Sequence, residues 1–441
     1  MTRDDIIAAV HAILTGPMNH PHIQGFGPEA RLNQDLYLDS VLILEIFLNL
    51  ELEYGLPMPE TAISRQDVST VADLAGLFAT KGEIEAAPVE VAADPENEGV
   101  HGEAPYDIKV HCFVSCVCEG VKRQGLDHRP FYFGVWDAKF AVSDRWQLLY
   151  HAPEISQDFF HDWFERLYGA SVREWYDPAR TKIENLGTML DLMEHRTGTG
   201  YVMVMLDMFH LPERENKFNQ NPFPHYLMLE TTADPEIWFV LDPDYRWQGE
   251  IARDKVVHAI MQPTVGGGYV FDRAEMRVPE SRDLKAYFEA CFIEDRNPLV
   301  DSVREIVSAH LDGRDGVTLS DLATALRELP VITIRKYAYE HGFAFYWRAL
   351  KLPAAEFDVW CDEIEALIQA LKGLQYEAMK LSQTGDRTLA GQVFARLDEA
   401  GRLEHRIKGK LREIFDLWCE RFESKDFALR DIAAPRLKRA V

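Results

Sequence analysis

The chain has 441 residues, which is too long for one compact core and predicts two or three domains. An apolar content of 47% and an aromatic content of 11% are typical of folded proteins and exclude a largely disordered chain. The formal net charge of −25 excludes a nucleic-acid partner, because phosphates would be repelled, and it either favours a cationic partner or serves solubility alone.

The sequence also bears on where the protein works. No apolar stretch approaches the roughly 20 residues that a membrane span needs, and the N-terminus lacks the basic and then apolar pattern of a secretory signal. Six cysteines are too few and too irregularly spaced for a disulfide framework. We therefore expect a cytoplasmic protein with reduced thiols and no membrane partner.

Residues 1–81 have the pattern of a small all-helical unit. Ile6, Val10 and Leu14 recur at helical spacing, a long apolar helix is predicted from Ser40 to Tyr54, and Ser69-Thr70 is placed to cap a last short helix, Val71–Ala79. Ser40 fits an ordinary N-cap, since serine is favoured there. A serine hydrolase is disfavoured, because the segment has neither a glycine elbow nor a nearby histidine base.

The pattern around Ser40 resembles acyl carrier proteins over almost a whole carrier domain. The matching features are Leu36, Asp39-Ser40 at the helix start, Glu45 within it, the Leu50–Tyr54 run and Val68–Leu74. The resemblance implies a four-helix carrier domain with 4′-phosphopantetheine covalently attached to Ser40. A helix N-terminus suits the phosphate of that arm. The implied partners are a phosphopantetheinyl transferase and an acyl- or aryl-adenylating enzyme that loads the carrier.

Residues 82–107 contain no Lys or Arg and repeat Ala, Pro and acidic residues, which is typical of a flexible linker. Residues 108–282 mix helix and strand patterns and predict an α+β domain. The short apolar runs "YVMVML" (201–206) and "IWFVLD" (237–242) have the length and the β-branched content of buried strands.

Cys112 precedes a helix-like run, and a helix N-terminus stabilises a thiolate. His111, Cys112, Cys116 and Cys118 could instead bind a metal, but C-x3-C-x-C is an unusual zinc spacing and no second cysteine pair follows. We therefore expect no metal site, and Cys116 is expected to be a small buried core residue.

A thiolate nucleophile needs a histidine base, and that histidine needs an orienting acid. His225 begins one predicted strand, and Asp242 ends the next strand along the chain. If the two strands pair antiparallel, these side chains meet near one end of the sheet. A cysteine on a facing helix then completes a Cys112–His225–Asp242 triad.

The order of these residues resembles the papain-like cysteine fold, in the C39-like branch of bacteriocin leader peptidases and butirosin-type acyltransferases. The matching pieces are "HC" at 111–112, "VMLDMFHLPE" at 204–213, "HYLMLE" at 225–230 and "FVLDPD" at 239–244. A narrower resemblance is to the aryl transferases of petrobactin-type siderophore pathways. That family implies transfer of dihydroxybenzoate from an aryl carrier to spermidine.

Two assignments within this region stay open. Asp207 is a candidate for binding the ammonium group of the acceptor, although an aspartate at a strand end is equally often a turn residue. The amide of Cys112 is the one oxyanion donor that the sequence indicates, since the glutamine that papain has upstream of its cysteine is missing here.

Residues 283–430 carry apolar residues at three- and four-residue spacing, which predicts a C-terminal helical bundle. The expected function is N-acyl transfer from a carrier thioester to an amine such as spermidine. The alternatives are a peptidase or thioesterase on the same triad, a butirosin-type acyltransferase acting on an aminoglycoside, and a non-catalytic scaffold that docks a carrier.

Overall fold

The computed structural model describes residues 1–38, 40–59, 68–78, 110–211 and 221–422. The α-helices in these ranges are α1 Arg3–Thr15, α2 Ser40–Tyr54, α3 Val71–Gly76, α4 Cys112–Arg123, α5 Asp158–Tyr168, α6 Lys182–Glu194, α7 Arg253–Ile260, α8 Ser281–Cys291, α9 Pro298–Asp312, α10 Leu322–Ala325, α11 Leu329–Thr333, α12 Ala338–Leu350, α13 Ala354–Thr384 and α14 Ala390–Phe422. The strands are β1 Ala141–Val142, β2 Leu148–Leu149, β3 Arg173–Glu174, β4 Gly200–Asp207, β5 Pro224–Thr231, β6 Ile237–Asp242, β7 Trp247–Ala252 and β8 Gly268–Asp272.

The N-terminal unit packs α1, α2 and α3 around one apolar core, as the helical spacing predicts. Thr70 caps α3 through a reciprocal pair of bonds with Asp73, so the predicted cap is confirmed. Residues 60–67 lie outside the described ranges, so the described part of this unit contains three helices. The four-helix carrier fold therefore remains a prediction.

The central region is built on an antiparallel six-stranded sheet with the order β3-β8-β4-β5-β6-β7. Side chains alternate between its two faces along each strand. Met203 and Met205 of β4 join the core that contains α4, whereas Val202 and Val204 join the core that contains α6 and α7. Both runs predicted as buried strands are confirmed, since they form β4 and β6.

The region from α8 onward is helical, as the periodicity predicts. The long helices α13 and α14 pack against each other and against α12. Their apolar faces continue into the same core as α4 and one face of the sheet, so the bundle and the sheet share one interior. The chain is therefore a multidomain protein of mixed helices and sheet with a C-terminal helical bundle.

A buried group of charges joins the bundle to the segment that follows α4. Lys336 donates to the backbone oxygen of Trp136 at 2.7 Å, to Asp137 at 2.8 Å and to Glu404 at 2.6 Å. Lys408 lies 2.9 Å from the second oxygen of Asp137. Removing one member would leave an unpaired charge in the interior, so this group holds the two parts in one arrangement.

The N-terminal unit rests on the bundle through the C-terminal half of α2. Lys380 of α13 donates to Glu51 at 2.6 Å, and the hydroxyl of Tyr376 donates to the other oxygen of Glu51. Tyr376 and Met379 also pack into the apolar core of the N-terminal unit.

None of the helices within the described ranges is long and apolar enough to cross a membrane. The predicted linker, residues 82–107, and the last residues of the chain, 423–441, lie outside the described ranges.

Candidate active site

Cys112 is the first residue of α4 and is half-buried. His111 occupies the N-cap position, and its backbone oxygen accepts the amide of Ser115 at 2.9 Å, which closes the first helical turn. The amide of Cys112, at this position, has no acceptor within the helix. The predicted placement of Cys112 at a helix start is therefore confirmed, and its amide is free in principle to bind an oxyanion.

His225 and Asp242 meet at one end of the sheet. Strands β5 and β6 pair antiparallel, with Met228 opposite Leu241, as the sequence predicts. The Nε2 atom of His225 lies 3.0 Å from Oδ1 of Asp242, and both side chains are buried. The same carboxylate oxygen accepts the amide of Tyr245 at 3.3 Å, which fixes its position.

The protonation of His225 is set by opposing effects. Burial disfavours the imidazolium, but the Asp242 carboxylate and the Cys112 sulfur outweigh it and raise the pKa of His225 to about 10. The imidazole hydrogen-bonds to the side chain of Cys112. Because Nε2 is held by Asp242, Nδ1 is left for the sulfur. The structure thus brings the three predicted triad residues together, with the ring protonated at neutral pH.

A second aspartate holds α4 in place. Oδ1 of Asp244, just beyond β6, accepts the amides of Val110 at 3.2 Å and His111 at 3.1 Å, and the hydroxyl of Ser115 at 2.7 Å. The carboxylate therefore ties the first turn of α4 to the strand end that carries Asp242. The sequence reasoning assigned no role to Asp244, although the "DPD" motif (242–244) placed two acids at this strand end.

Cys112 and His225 line a cleft with about 660 Å³ of empty space, part of it open to solvent. The walls include aromatic side chains from the loops and strands, and the helical region closes one side. The lining residues from that helical region are Val331, Ile334 and Arg335.

Arg335 is the buried cation of this cleft. Its guanidinium donates to the backbone oxygens of Lys139 at 3.1 Å and Ala138 at 3.3 Å. Burial lowers the pKa of Arg335 to about 10, opposed by Cys112 and nearby acids, so the side chain stays charged at neutral pH. The sequence reasoning missed this residue, because nothing local to it indicates contact with a site built from residues far earlier in the chain.

The remaining predicted residues lie apart from the cleft. Asp207 is buried at the end of β4, where its carboxylate accepts the amides of Phe209 and Phe223 and the hydroxyl of Thr264. That arrangement is typical of a turn residue, and Asp207 does not line the cleft. Ser40 begins α2 as predicted, but its side chain and Asp39 lie outside what the structure describes.

Cys116 is buried, as predicted, with its sulfur 3.6 Å from the backbone oxygen of Tyr226. Burial raises the pKa of this thiol well above its ordinary value, which makes Cys116 a poor nucleophile. Within the described ranges, no three His, Cys, Asp or Glu side chains are grouped so that they could hold a metal ion.

Comparison with known proteins identifies the larger part of the chain. Residues 107–276 match the DUF6005 N-terminal domain, and residues 282–429 match the DUF6005 C-terminal domain. A stretch of 314 residues, 71% of this chain, is 42% identical to "Petrobactin synthase" of Bacillus anthracis and covers 96% of it. A shorter stretch of 74 residues, 17% of this chain, is 34% identical to "Acyl carrier protein AsbD" of the same organism and covers 81% of it. The chain therefore belongs to the petrobactin synthase family and carries, in addition, a segment homologous to an acyl carrier protein.

Proposed function

We propose that the chain is an amide-forming N-acyltransferase of siderophore biosynthesis. It transfers an acyl group, dihydroxybenzoyl, from a thioester on its own carrier domain to an amine such as spermidine. The observation that carries this proposal is the meeting of Cys112, His225 and Asp242 in one cleft, in a chain 42% identical to a petrobactin synthase. The carrier homology supplies the donor in the same polypeptide.

The proposed function assigns a role to each part of the chain. Residues 1–81 form the carrier domain, residues 82–107 the linker, residues 108–282 a papain-like acyltransferase domain and residues 283–430 the helical domain. The papain-like assignment is supported by the order of a cysteine at a helix start, a histidine opening a strand and an aspartate ending the next strand. A cytoplasmic location fits the supply of coenzyme A and of the loading enzymes.

Each of the three triad residues has its own role in the proposed reaction. The Cys112 thiolate attacks the carbonyl carbon of the carrier-bound thioester, and the helix-start amide of Cys112 binds the developing oxyanion. His225 gives its proton to the departing sulfur, which leaves an acyl group on Cys112. The neutral imidazole then takes a proton from the attacking amine, and the amide forms as the Cys112 sulfur departs. Asp242 keeps the ring oriented and stabilises its charged form.

The cofactor that this function requires is 4′-phosphopantetheine on Ser40. The start of α2 at Ser40 fits such a group, because the first amides of a helix and its dipole favour a phosphate. The arm supplies the thiol on which the acyl group is activated. A phosphopantetheinyl transferase would attach it, and an adenylating enzyme would load the acid.

The test loads the full chain and follows both the protein and the product. The protein is coexpressed with a phosphopantetheinyl transferase, acylated with dihydroxybenzoate and mixed with spermidine. Intact mass should show the arm and the acyl group, and both should be missing from Ser40→Ala. Cys112→Ala should load normally but form amide at about 1% of the wild-type rate or less. Cys419→Ala removes another half-buried thiol, outside the cleft, and should behave as wild type.

Each other outcome identifies what is wrong. If Cys112→Ala keeps full turnover while His225→Ala loses it, the amine attacks the carrier thioester directly and Cys112 is not the nucleophile. If both variants keep full turnover, this cleft is not the active site and the chain is a scaffold. Release of free acid in place of amide would show a thioesterase. Acylation of an aminoglycoside but not of spermidine would leave the butirosin-type reaction in place of the siderophore reaction.

A further inference from the structure

Two polar side chains in the cleft have buried atoms without a hydrogen-bond partner among the residues that the structure describes. They are Nδ1 of His111 and Oε1 of Gln157. Both residues line the cleft beside Cys112. Since a buried polar atom destabilises the fold if nothing satisfies it, a protein retains one mainly where a ligand or water completes it.

The two residues are linked through the first turn of α5. Gln157 is the N-cap residue of α5, and its backbone oxygen accepts the amide of Phe160 at 2.9 Å. The ring of Phe160 packs against the ring of His111, with centroids 5.2 Å apart. Phe160 therefore connects the start of α5 to His111, the residue that directly precedes Cys112, and both polar residues line the same cleft.

Both side chains are uncharged at neutral pH. Burial and the neighbouring Arg335 lower the pKa of His111 well below its ordinary value, so the ring is neutral. A neutral imidazole and a primary amide can each donate or accept a hydrogen bond, depending on the tautomer and on the amide orientation. A hydroxyl group, which also donates and accepts, matches both of them.

The rest of the cleft favours an aromatic ring over a cationic chain. Tyr150, Phe223 and Tyr245 supply aromatic surface. Apart from the His225–Asp242 pair, the charged lining residues are the cations Lys139 and Arg335 and the single carboxylate of Asp244. The distal ammonium groups of a polyamine would meet Lys139 and Arg335 here, and Asp244, the one carboxylate among these residues, already accepts bonds from the start of α4, whereas a neutral hydroxylated ring would meet no like charge.

We propose that His111 and Gln157 form the acyl-recognition site, which selects an aromatic acyl group by hydrogen bonds to its ring hydroxyls. This inference rests on the proposed acyl transfer and names the part of the cleft that selects the donor. The acceptor amine approaches Cys112 from outside this pocket. A site built to bond a hydroxyl rejects an analogue that lacks it, because its own polar groups are then left buried and unpaired.

The experiment compares acyl groups within one variant at a time. The carrier is loaded with benzoyl, 3-hydroxybenzoyl, 4-hydroxybenzoyl or 3,4-dihydroxybenzoyl, and the rate of amide formation is measured in single turnover with a fixed amine. Wild type should favour the dihydroxybenzoyl over the benzoyl group by tenfold or more. In Gln157→Leu and His111→Phe that ratio should fall severalfold toward one. A ratio taken within one variant is insensitive to a general loss of folded protein.

Gln147→Leu serves as the control, since Gln147 is also half-buried but lies between β1 and β2 and does not line the cleft. It should keep the wild-type ratio. The inference is overturned if wild type transfers benzoyl as fast as dihydroxybenzoyl, or if both variants slow every acyl group equally. Those results would contradict the recognition site but not acyl transfer itself. If wild type transfers none of the acyl groups, the proposed function is wrong instead.

Discussion

At the scale of single residues, the site depends on a few buried charges whose states are coupled. His225 is buried, yet its ring is held in the charged form by Asp242 on one side and the Cys112 sulfur on the other. His111, the residue before Cys112, is driven in the opposite direction by burial and Arg335. Two histidines in one cleft thus hold different protonation states, because one has an acid as its neighbour and the other has a cation.

The raised pKa of His225 predicts how stability changes with pH. Between the ordinary value of 6.5 and about 10, the folded state binds a proton that the unfolded state has lost. The stabilising contribution of His225 is therefore complete below pH 6.5 and declines as pH rises toward 10. Urea unfolding at pH 6.5, 8 and 9.5 should show wild type losing stability with a steeper slope than His225→Gln.

Asp242→Asn should also flatten this slope, because the amide cannot hold the imidazolium as the carboxylate does. His258→Gln, which changes an exposed histidine outside the cleft, should keep the wild-type slope. A slope in His225→Gln equal to that of wild type would mean that the ring is neutral in the folded protein at these pH values.

At the scale of elements, the cleft is assembled from a helix start, two strand ends and one segment of the bundle. Asp244 connects the first two of these, since one of its oxygens accepts three hydrogen bonds from the start of α4. The segment Ile334–Tyr337 connects the third, because it directs Arg335 into the cleft and Lys336 into the buried charge group beside it. The geometry of the cleft therefore depends on contacts outside the candidate triad.

The anchoring role of Asp244 can be measured directly. Asp244→Ala leaves two amides and a hydroxyl without their acceptor in a buried place, so it should lower the free energy of unfolding by about 2–4 kcal/mol. It should also slow amide formation, because the start of α4 positions the sulfur and the amide of Cys112. Urea unfolding and single-turnover rates would report the two effects.

Asp162→Ala is the matched control, since Asp162 is an exposed aspartate on α5. Its free energy of unfolding should stay within about 0.5 kcal/mol of wild type. If Asp244→Ala is as stable and as active as this control, the carboxylate does not hold the helix start.

At the scale of the whole molecule, two features bear on how substrates would reach the cleft. They are the net charge and the presence of the N-terminal unit on the same chain. The N-terminal unit rests on the bundle through Glu51, Tyr376 and Lys380, so this unit and the helical region are in contact within one chain. The net charge of −25 would attract the cationic acceptor of the proposed reaction at long range. The cleft itself carries cations, so this attraction arises from the protein surface and not from the lining of the site.

A higher salt concentration should therefore weaken the binding of a cationic acceptor. Raising the ionic strength from about 0.05 M to 0.5 M shortens the range of electrostatic attraction severalfold, so the KM for spermidine should rise severalfold. The KM for a neutral amine of similar length should change little, and this amine is the control. Initial rates of amide formation across both salt concentrations would measure it. If the enzyme uses both amines equally well at low and at high salt, the acceptor is not selected by electrostatic attraction.

Residue patterns within single segments are enough to predict the main helices and strands of this protein and the helix and strand ends that carry the candidate triad. Helical periodicity predicted α1, α2 and the bundle, and short apolar runs predicted β4 and β6, because burial of one face imposes a period on the residues that build it. Antiparallel pairing of neighbouring strands brought His225 and Asp242 to one end, since these strands are adjacent in the chain.

The tertiary structure decided which distant elements meet. The anchoring of α4 by Asp244, the entry of Arg335 into the cleft and the pairing of Lys336 with Asp137 join segments far apart in sequence. Local periodicity says which face of an element is buried but not against which partner, because that choice depends on packing over the whole interior. For the same reason Asp207, a plausible ligand by sequence, is placed by the fold among the backbone amides of a turn.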